Sequence, residues 1–472
     1  MIAAKIIELL CWRRHRSFIK NLSHFSETQL SLKQQLFHSL MKGKYGQHLK
    51  AKRWDDIPIV TYQDIEKWIA TSNLSHSGVK HYVETSGSSC RSKKIPYTAE
   101  LKQSFLSLFK IWAFDLLKNV LKPSLGKIFM SLSPPANSGL KDDTQYLNQL
   151  LKMVLKPYLI LPPIDKPEHY QENVARALLS ERNLGMISIW NPTYLLQIME
   201  YVETHREKFR DFVGEAPIDW KHLWPKLQFI SCWTDGWAIQ QSEILKKQFP
   251  HAILQGKGLL ATEAPMTVPL QNSPAPVPLI DEVYFEFEDS SGNIATLDQV
   301  HLGEIYELII SQKGGLMRYR IGDKVKISGH FLSTPCLTFM GRAGKVCDMV
   351  GEKLDALVVE DALKEITQLH TGPLLLLPVY STHTFCYYML LTEQMDASLP
   401  ANLESALQKI YHYRAARLTG QLGPVKVIKV DHLLQRMHQF YLSQGINRGD
   451  IKDTRFIHDP ALAAQFLILF AL

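Results

Sequence analysis

A loop of small hydroxyl residues followed by two lysines is the first segment with a composition suited to binding a ligand. Residues 85–89 read Thr-Ser-Gly-Ser-Ser after a strand-like segment, and Lys93 and Lys94 follow shortly afterwards. Backbone N–H groups and hydroxyls in such a loop can surround phosphate oxygens, and a lysine adds a positive point charge. The spacing of a Walker loop is absent. The segment fits a phosphate-binding loop, and an ordinary Ser/Gly surface turn would explain it as well.

Three further segments carry side chains of the kinds that bind a nucleotide. Glu263, on a loop after a strand-like segment, could hold Mg²⁺, because this ion takes few protein ligands and shares the oxygens of the nucleotide. Asp323 follows Gly322 in a β-rich segment and could accept hydrogen bonds from both ribose hydroxyls. Arg342 follows Gly341 where the sequence pattern changes. The ordinary alternatives are a solvated loop acid, a Gly-Asp hairpin turn and an arginine in a salt bridge between two domains.

Predicted helices and short strands alternate along the chain as far as about residue 270. The first sixty residues read as helices, residues 62–70 as another, and Thr98 can cap a long helix after the hydroxyl loop. Short strands are predicted at residues 57–61, 80–84, 185–190, 227–232 and 252–255. Alternation of this kind implies parallel strands covered by helices, which is an α/β core.

The pattern changes twice after the α/β core. Residues 275–340 read as strands and turns, which indicates a β subdomain. After position 342 the predicted order is β-α-β-β-α-β, with strands at residues 345–350, 374–380, 384–391 and 425–430 and helices at 358–369 and 403–416. We therefore predict a large N-terminal α/β domain with a β subdomain (residues 1–342) and a small C-terminal α+β domain (residues 343–472), joined by a hinge at Gly344.

The order of these segments resembles that of the adenylate-forming superfamily of acyl-CoA synthetases, adenylation domains and luciferases. Within it, the sequence resembles the auxin-responsive-promoter (Gretchen Hagen three) family of acyl acid–amido synthetases. The resemblance runs from about residue 30 to 456. The stretches that carry it are residues 57–62 (Ile-Pro-Ile-Val-Thr-Tyr), 84–89 with 95–98, 316–323 (Leu-Met-Arg-Tyr-Arg-Ile-Gly-Asp) and 451–455 (Ile-Lys-Asp-Thr-Arg).

The resemblance implies ATP and Mg²⁺ as cofactors and gives roles to individual residues. The nucleotide-binding residues would be Thr85, Ser86, Gly87, Ser88, Ser89, Lys93, Thr262, Asp323 and Arg342. Glu263 would help to hold Mg²⁺, and Lys452 would be the catalytic lysine that meets the reacting carboxylate and the α-phosphate. A surface lysine is the alternative at position 452. Two departures concern the ligand contacts: residues 90–92 (Cys-Arg-Ser) replace a second glycine, and residues 260–261 (Leu-Ala) replace an aromatic-glycine pair.

The function implied by the resemblance is a two-step ligation. A carboxylic acid attacks the α-phosphate of ATP and forms an acyl-adenylate with release of pyrophosphate, and an amine such as an amino acid then takes the acyl group. Rotation of the C-terminal domain would separate the two steps. Two alternatives remain open: an acyl-CoA ligase with a thiol acceptor, and a nucleotide-binding protein that has lost catalysis. A serine hydrolase is disfavoured, because Ser86 and Ser88 lack a GxSxG frame.

The acyl pocket is expected beside the strand that ends at Trp190. The candidate lining residues are Trp190, Tyr194, Trp233 and Thr234. Trp233 and Thr234 also belong to residues 231–236, which match the place where the family lays a loop along the acyl and adenine groups. Ordinary aromatic packing in the core is the alternative for the three aromatic side chains.

The bulk properties favour small-molecule chemistry inside the cell. The chain has 472 residues and a net charge of +7 without a long Lys/Arg stripe, which argues against nucleic-acid binding. Its six cysteines are widely spaced, so we expect free thiols, no structural zinc site and a cytoplasmic location. The apolar segments at residues 1–11 and 460–472 are too short to span a membrane, and we expect terminal elements packed on the core. A monomer is the expectation for the oligomeric state.

Overall fold

The structure is a computed structural model that describes residues 2–85, 93–121, 126–130, 154–163, 169–235, 238–342, 344, 346–367, 373–381, 385–444 and 455–472. Four predicted phosphate-loop residues (Ser86, Gly87, Ser88 and Ser89) and the predicted catalytic Lys452 lie outside this range. Thr85 and Arg342 are described by their backbone only.

The first part of the chain is helical, as its apolar spacing predicts. The helices are α1 (Ile2–Leu22), α2 (Phe25–Lys42), α3 (Lys44–Leu49), α4 (Tyr62–Ala70) and α5 (Ala99–Asn119). The hydroxyl of Thr98 accepts a hydrogen bond from the N–H of Leu101 at 3.2 Å, which confirms the predicted cap of α5. An antiparallel hairpin of β1 (His81–Thr85) and β2 (Lys93–Tyr97) lies between α4 and α5. Thr85 at the end of β1 is paired with Lys93 at the start of β2, and residues 86–92 are the chain segment between them.

A five-stranded parallel sheet forms the α/β core. Its strands are β3 (Lys127–Met130), β4 (Leu159–Ile160), β5 (Leu184–Ser188), β6 (Phe229–Cys232) and β7 (Ile253–Gly256), in the order β4-β3-β5-β6-β7. All neighbours are parallel. The intervening helices are α6 (Tyr170–Leu179), α7 (Pro192–Thr204), α8 (Arg210–Val213), α9 (Trp220–Leu223) and α10 (Ile239–Gln248). The mixed α/β prediction is therefore confirmed.

Antiparallel strands follow the parallel sheet. They are β8 (Leu260–Ala261), β9 (Ala264–Pro265), β10 (Thr267–Val268), β11 (Val277–Pro278), β12 (Val283–Glu288), β13 (Ile294–Thr296), β14 (Ile305–Gln312), β15 (Tyr319–Phe331) and β16 (Thr334–Arg342). Five of them form a sheet in the order β13-β12-β14-β15-β16. Strand β15 runs through Gly322 and Asp323, so the hairpin-turn alternative for this pair is wrong. Gly322 has φ +84° where the register with β14 shifts, which is a bulge position that favours glycine.

The last part of the chain follows the predicted order with three differences. Its elements are β17 (Val346–Cys347), β18 (Leu354–Asp355), α11 (Ala356–Thr367), β19 (Leu374–Val379), β20 (Tyr387–Thr392), α12 (Leu399–Gln408), α13 (Tyr411–Leu418), β21 (Lys426–Lys429), α14 (Leu433–Ser443) and α15 (Pro460–Phe470). Strand β17 pairs with β18, whereas β19, β20 and β21 form a separate sheet. The helix expected at 403–416 is two helices, and α14 and α15 extend the predicted unit.

The break between α12 and α13 has a visible cause. Glu404 on α12 accepts hydrogen bonds from Tyr413 at 2.9 Å and from Arg417 at 2.6 Å, and both donors lie on α13. The N–H of Val425 also donates to Glu404 at 2.9 Å. One continuous helix could not bring residues nine and thirteen positions apart to the same carboxylate, because only neighbours three and four apart share a face.

The described hydrophobic residues form six clusters, and each cluster lies wholly on one side of position 342. Each domain of a protein usually has its own hydrophobic core. The distribution of the six clusters is therefore compatible with the predicted domain boundary near residue 343, which stays a prediction.

The described cysteines are Cys11, Cys232, Cys336, Cys347 and Cys386, and these five are unpaired and buried. Within the described ranges, no helix combines the length and apolar character needed to cross a membrane.

A buried ion pair joins strand β12 to the residue that precedes strand β15. The Arg318 guanidinium lies 3.0 Å from one carboxylate oxygen of Glu286 and donates to the other at 3.1 Å. Arg318 also donates to the carbonyl of Ile57 at 2.8 Å, and the indole of Trp54 donates to Glu286 at 3.4 Å. Glu286 and Arg318 are both buried, so either charge left without the other would be costly.

We expect Glu286→Ala to lower the free energy of unfolding by about 3–5 kcal/mol, because it leaves the Arg318 guanidinium buried and uncompensated. Guanidinium unfolding of the full chain measures this loss. The matched control is Glu215→Ala, which breaks the exposed pair with Arg210 and should cost less than about 1 kcal/mol. Equal losses in the two variants would contradict a structural role for the buried pair.

A second buried carboxyl group lies in the C-terminal part. Glu352 accepts hydrogen bonds from the N–H groups of Met349 at 2.9 Å and Val350 at 2.8 Å, and from the Tyr388 hydroxyl at 2.6 Å. Burial, with a smaller contribution from the charge of Asp348, raises the pKa of Glu352 to about 7. The folded state therefore holds a proton that the unfolded chain releases at lower pH, and the stability that this proton supplies is lost as the pH rises through 7.

Glu352→Gln should remove this pH dependence. The unfolding free energy of the unmodified protein, minus that of the variant, should fall by about 2–3 kcal/mol between pH 5 and pH 8. The difference between the proteins is the quantity to measure, because burial lowers the pKa of His412 to about 3 and gives both proteins a dependence of opposite sign. A difference that is constant with pH would show that Glu352 stays ionised.

Candidate active site

The segments that follow strands β5, β6 and β7 meet at the carboxyl edge of the parallel sheet. Trp190 follows β5 and Trp233 follows β6, and the N–H of Trp233 donates to the carbonyl of Trp190 at 2.7 Å. Their half-buried rings lie 6.1 Å apart at an interplanar angle of 58°. Open parallel sheets bind ligands in the crevice outside this edge. The two indoles therefore lie together at this edge, and their role in an acyl pocket stays a prediction.

Thr234 packs closely against the end of strand β7. A Cβ atom added to Gly256 would overlap the hydroxyl oxygen of Thr234. A glycine at the end of β7 thus allows the segment after β6 to approach the neighbouring strand. This contact fixes the position of Thr234 beside Trp233 in the crevice.

Tyr194, the remaining predicted pocket residue, lies in the core behind the crevice. Its hydroxyl is 3.0 Å from that of Tyr170, and its ring is stacked with Phe129 at 6.5 Å. Burial, with a smaller contribution from Tyr170, raises the pKa of Tyr194 well above its ordinary value. The structure favours the core-packing alternative for Tyr194, and Trp190, Trp233 and Thr234 remain the candidates for the pocket.

Lys257 is a crevice residue that the sequence reasoning missed. It directly follows strand β7, and its Nζ lies 2.9 Å from the hydroxyl oxygen of Ser188 at the end of β5. The same ammonium lies 4.9 Å from the centroid of the Trp190 ring. A lysine between Gly256 and Gly258, two positions after the strand predicted at residues 252–255, was the signal that could have found it.

Thr262 and Glu263 form the tip of the two-residue hairpin between β8 and β9. The Tyr97 hydroxyl donates to the carbonyl of Thr262 at 2.8 Å, and the Gln312 amide donates to the carbonyl of Glu263 at 3.1 Å. Thr262 is half-buried and Glu263 is buried. Because Tyr97 ends strand β2, which begins directly after residues 86–92, the tip is tied to the strand that follows the hydroxyl loop.

Asp323 and Arg342 lie opposite each other on strands β15 and β16. Asp323 is buried, and Arg342 is the last residue of its strand. The pairing brings two predicted nucleotide-binding residues, nineteen positions apart in sequence, onto neighbouring strands.

Lys93 lies at the base of the hairpin that carries the hydroxyl loop. Its half-buried ammonium is 5.8 Å from the centroid of the Tyr62 ring, and the N–H of Lys94 donates to the Tyr62 hydroxyl at 3.0 Å. The Lys94 side chain is exposed. Helix α4 therefore supports strand β2 through Tyr62, and Lys93, which pairs with Thr85, is the less exposed of the two lysines.

A segment after position 342 also reaches the crevice. A Cβ atom added to Gly351 would lie 3.9 Å from the Trp233 ring, so the backbone of Gly351 is close to the indole. Gly351 has φ +104°, a conformation that favours glycine. The C-terminal part of the chain thus borders the predicted acyl pocket.

Two family profiles match this chain. The GH3 family N-terminal domain matches residues 14–216, and the GH3 family central domain matches residues 277–342. The chain is 25% identical to the probable indole-3-acetic acid-amido synthetase GH3.7 of Oryza sativa subsp. japonica, over 49% of this chain and 44% of that protein. It thus spans less than half the length of that relative. It is 21% identical to the indole-3-acetic acid-amido synthetase GH3.15 of Arabidopsis thaliana, over 87% of this chain and 86% of that protein.

Solved structures with similar folds cover nearly the whole chain. A GH3.15 acyl acid amido synthetase has a TM-score of 0.57 at 20% identity, covering 96% of this chain and 94% of that one. A 2-hydroxyisobutyryl-CoA ligase in complex with 2-HIB-AMP and CoA has a TM-score of 0.54 at 13% identity, covering 97% and 92%. At these identities the likeness concerns the fold.

Gly256→Ala tests the packing that forms the crevice. We expect it to cost about 1–3 kcal/mol of stability, because the new methyl group overlaps the Thr234 hydroxyl. In a Thr234→Ala background the overlap disappears, so the same substitution should cost less than about 1 kcal/mol. Unfolding of the four proteins in a double-mutant cycle measures the coupling. An equal cost in both backgrounds would contradict the contact.

Proposed function

This chain belongs to the GH3 family of acyl acid–amido synthetases, which are AMP-forming ligases, and we propose that it activates a carboxylic acid with ATP and then transfers the acyl group to an amine. In the first step a carboxylate oxygen bonds to the α-phosphorus and pyrophosphate leaves. In the second step the amine nitrogen attacks the acyl carbon, AMP leaves with the bonding electrons, and the nitrogen loses a proton. An amino acid is the acceptor that we propose.

The observation that carries this proposal is the anchored tip at Thr262 and Glu263. Tyr97 and Gln312 hold its backbone from two different strands. Catalysis of phosphate chemistry depends on charged and polar groups that are positioned before the reaction starts. A tip held at two carbonyl oxygens meets this requirement and leaves the Thr262 hydroxyl and the Glu263 carboxylate to interact with substrate.

Glu263 fits the proposed Mg²⁺ site. Within the described ranges, no cluster of three or more His, Cys, Asp and Glu side chains could hold a metal ion by itself. A single carboxylate suits Mg²⁺, which binds through one or two carboxylates together with substrate phosphates. When bound, Mg²⁺ would supply positive charge to the phosphate oxygens of ATP.

The other nucleotide contacts are proposed from the same arrangement. The Asp323 carboxylate would accept hydrogen bonds from the ribose hydroxyls, and Arg342, its partner across the sheet, would bind the ribose or a phosphate. Residues 85–89 and Lys93 would bind the phosphates of ATP. Lys452 would neutralise the charge that develops between the carboxylate and the α-phosphate.

We further propose that residues 343–472 act as a mobile domain. The separate hydrophobic clusters after position 342 support a unit of this kind. The closeness of Gly351 to Trp233 supports contact between the units at the acyl pocket. Rotation about residues 343–345 would exchange Lys452 for the amine site after adenylation.

Pyrophosphate release by the purified protein, with ATP, Mg²⁺ and a pooled set of aromatic and aliphatic acids, tests the first step. We expect acid-dependent release that falls about 100-fold or more in Lys452→Ala and in Glu263→Gln, because each substitution removes a charge from the reacting centre. The matched controls are Lys409→Ala and Glu215→Gln, two exposed positions that should retain the unmodified rate.

The mass of the product tests the second step. With a pool of amino acids we expect an amide, and a thioester formed only with coenzyme A would favour the acyl-CoA ligase alternative. ATP binding without pyrophosphate release for any acid would instead favour a nucleotide-binding protein that has lost catalysis.

A further inference from the structure

Helix α1 packs on the rest of the chain through a well-defined buried face. Cys11, Phe18 and Leu22 are fully buried on that face. On the same side, the Arg14 guanidinium lies 2.7 Å from one carboxylate oxygen of Asp281 and donates to the other at 2.8 Å. These contacts fix the rotation of the helix about its axis, and they determine which residues of α1 face outwards.

The opposite face of α1 exposes large apolar side chains. Leu9 is 76% exposed, Trp12 43% and Ile6 40%. Single exposed apolar residues are common on protein surfaces and need no explanation. These three lie within two turns of one helix at spacings of three residues, so they share one face. A contiguous apolar face of this kind is typical of an interaction surface.

Basic side chains surround the apolar ones on the same face. At 3.6 residues per turn, an arc of about 120° contains the exposed residues Lys5, Ile6, Leu9, Trp12, Arg13, Arg16 and Lys20, which we call the outer face of α1. The Arg16 guanidinium lies 5.4 Å from the centroid of the Trp12 ring. The apolar and basic groups therefore form one mixed surface.

This surface has a single sign of charge. Glu8 is the one acidic residue in the sequence of α1, it lies outside the outer face, and its carboxylate is 3.4 Å from the Lys118 ammonium. The outer face itself contains four basic residues and no acidic one. It is therefore complementary to a surface that is negatively charged and also accepts apolar side chains.

We infer that the outer face of α1 binds the surface of a lipid bilayer that contains anionic lipids. Ile6, Leu9 and Trp12 enter the boundary between headgroups and acyl chains, and the four basic residues bind lipid phosphates. Long basic side chains can keep their charges among the headgroups while the apolar residues lie deeper. The inference does not depend on the proposed adenylation.

The mixture of side chains favours a bilayer over a nucleic acid. The phosphates of a nucleic acid would neutralise the basic residues, but they would leave Leu9 in water. A bilayer surface accepts both kinds of side chain, because its anionic headgroups lie directly above the acyl chains. Tryptophan is also enriched at this boundary, where its ring lies at the level of the headgroups.

The strength of the binding follows from the number of charges. Each basic residue close to an anionic surface strengthens binding by about fivefold. Reversing two of the four charges should therefore weaken binding by about 25-fold or more. Added salt should weaken it as well, since salt screens the attraction between exposed charges.

Sedimentation of the full chain with vesicles measures the charge-dependent part. We expect binding to phosphatidylcholine vesicles that contain about one-third phosphatidylglycerol to be at least about tenfold tighter than binding to phosphatidylcholine alone. The double variant Arg13→Glu with Arg16→Glu should lose about 25-fold or more. The matched control is Lys246→Glu with Lys247→Glu, which changes the net charge equally at two exposed residues of α10 and should keep the unmodified affinity.

The apolar part is measured with the same vesicles. We expect Leu9→Ser to weaken binding by about three- to tenfold, because less apolar surface leaves water. The matched control is Leu302→Ser, at a leucine that is 63% exposed outside α1 and should leave the affinity unchanged. Thermal unfolding checks the fold of every variant, and all the substituted side chains are exposed.

Weaker binding in both outer-face variants and in neither control would support the inference. Equal affinity for the two kinds of vesicle, or equal weakening in the Lys246 and Lys247 control, would overturn it. Unchanged binding in Leu9→Ser would also overturn it, since attraction between charges alone does not require the apolar residues. Failure of the unmodified protein to bind anionic vesicles would exclude a bilayer and favour an acidic protein as the partner of the outer face.

Discussion

The buried pair of Arg318 and Glu286 holds together the chain segments on which the nucleotide side of the site depends. Glu286 lies on β12, and Arg318 immediately precedes β15, the strand that carries Asp323. By donating to the carbonyl of Ile57, the guanidinium also fixes the segment before helix α4. Val60 then pairs with Tyr319 in a parallel bridge. A charge this deeply buried tolerates few alternative arrangements, because each would leave one partner unsatisfied.

A path of contacts extends from this pair to the predicted phosphate site. Helix α4 begins at Tyr62, whose hydroxyl accepts a hydrogen bond from Lys94 on β2. The same strand ends at Tyr97, which binds the carbonyl of Thr262. The path thus connects the Arg318–Glu286 ion pair to the Thr262–Glu263 tip through hydrogen-bonded side chains and paired strands. Supports of this kind keep catalytic groups within the small tolerances that their chemistry requires.

The proposed acyl pocket has a different construction. Its residues follow the carboxyl ends of parallel strands, where side chains can change without disturbing the sheet, because the strands are positioned by their own pairing and by the buried helices around them. Trp190, Trp233 and Lys257 each come from a separate strand end. Side chains at the proposed pocket can therefore vary within one fold, whereas the Thr262–Glu263 tip is constrained by two backbone hydrogen bonds.

Elements whose signals are local could be predicted from the sequence. Helix α4, the cap of α5 and the strands around the β15 motif depend on residues a few positions apart, and motif order indicated the family. The hairpin alternative at Asp323 was excluded only when the pairing of β15 with two neighbours was known. Likewise, the break before α13 depends on Glu404, which binds residues on the next helix. Tertiary structure alone placed Lys257 against Ser188, 69 positions away, and Tyr194 in the core. Parallel pairing joins strand ends that are remote in sequence, and no local pattern records which side chains will meet there.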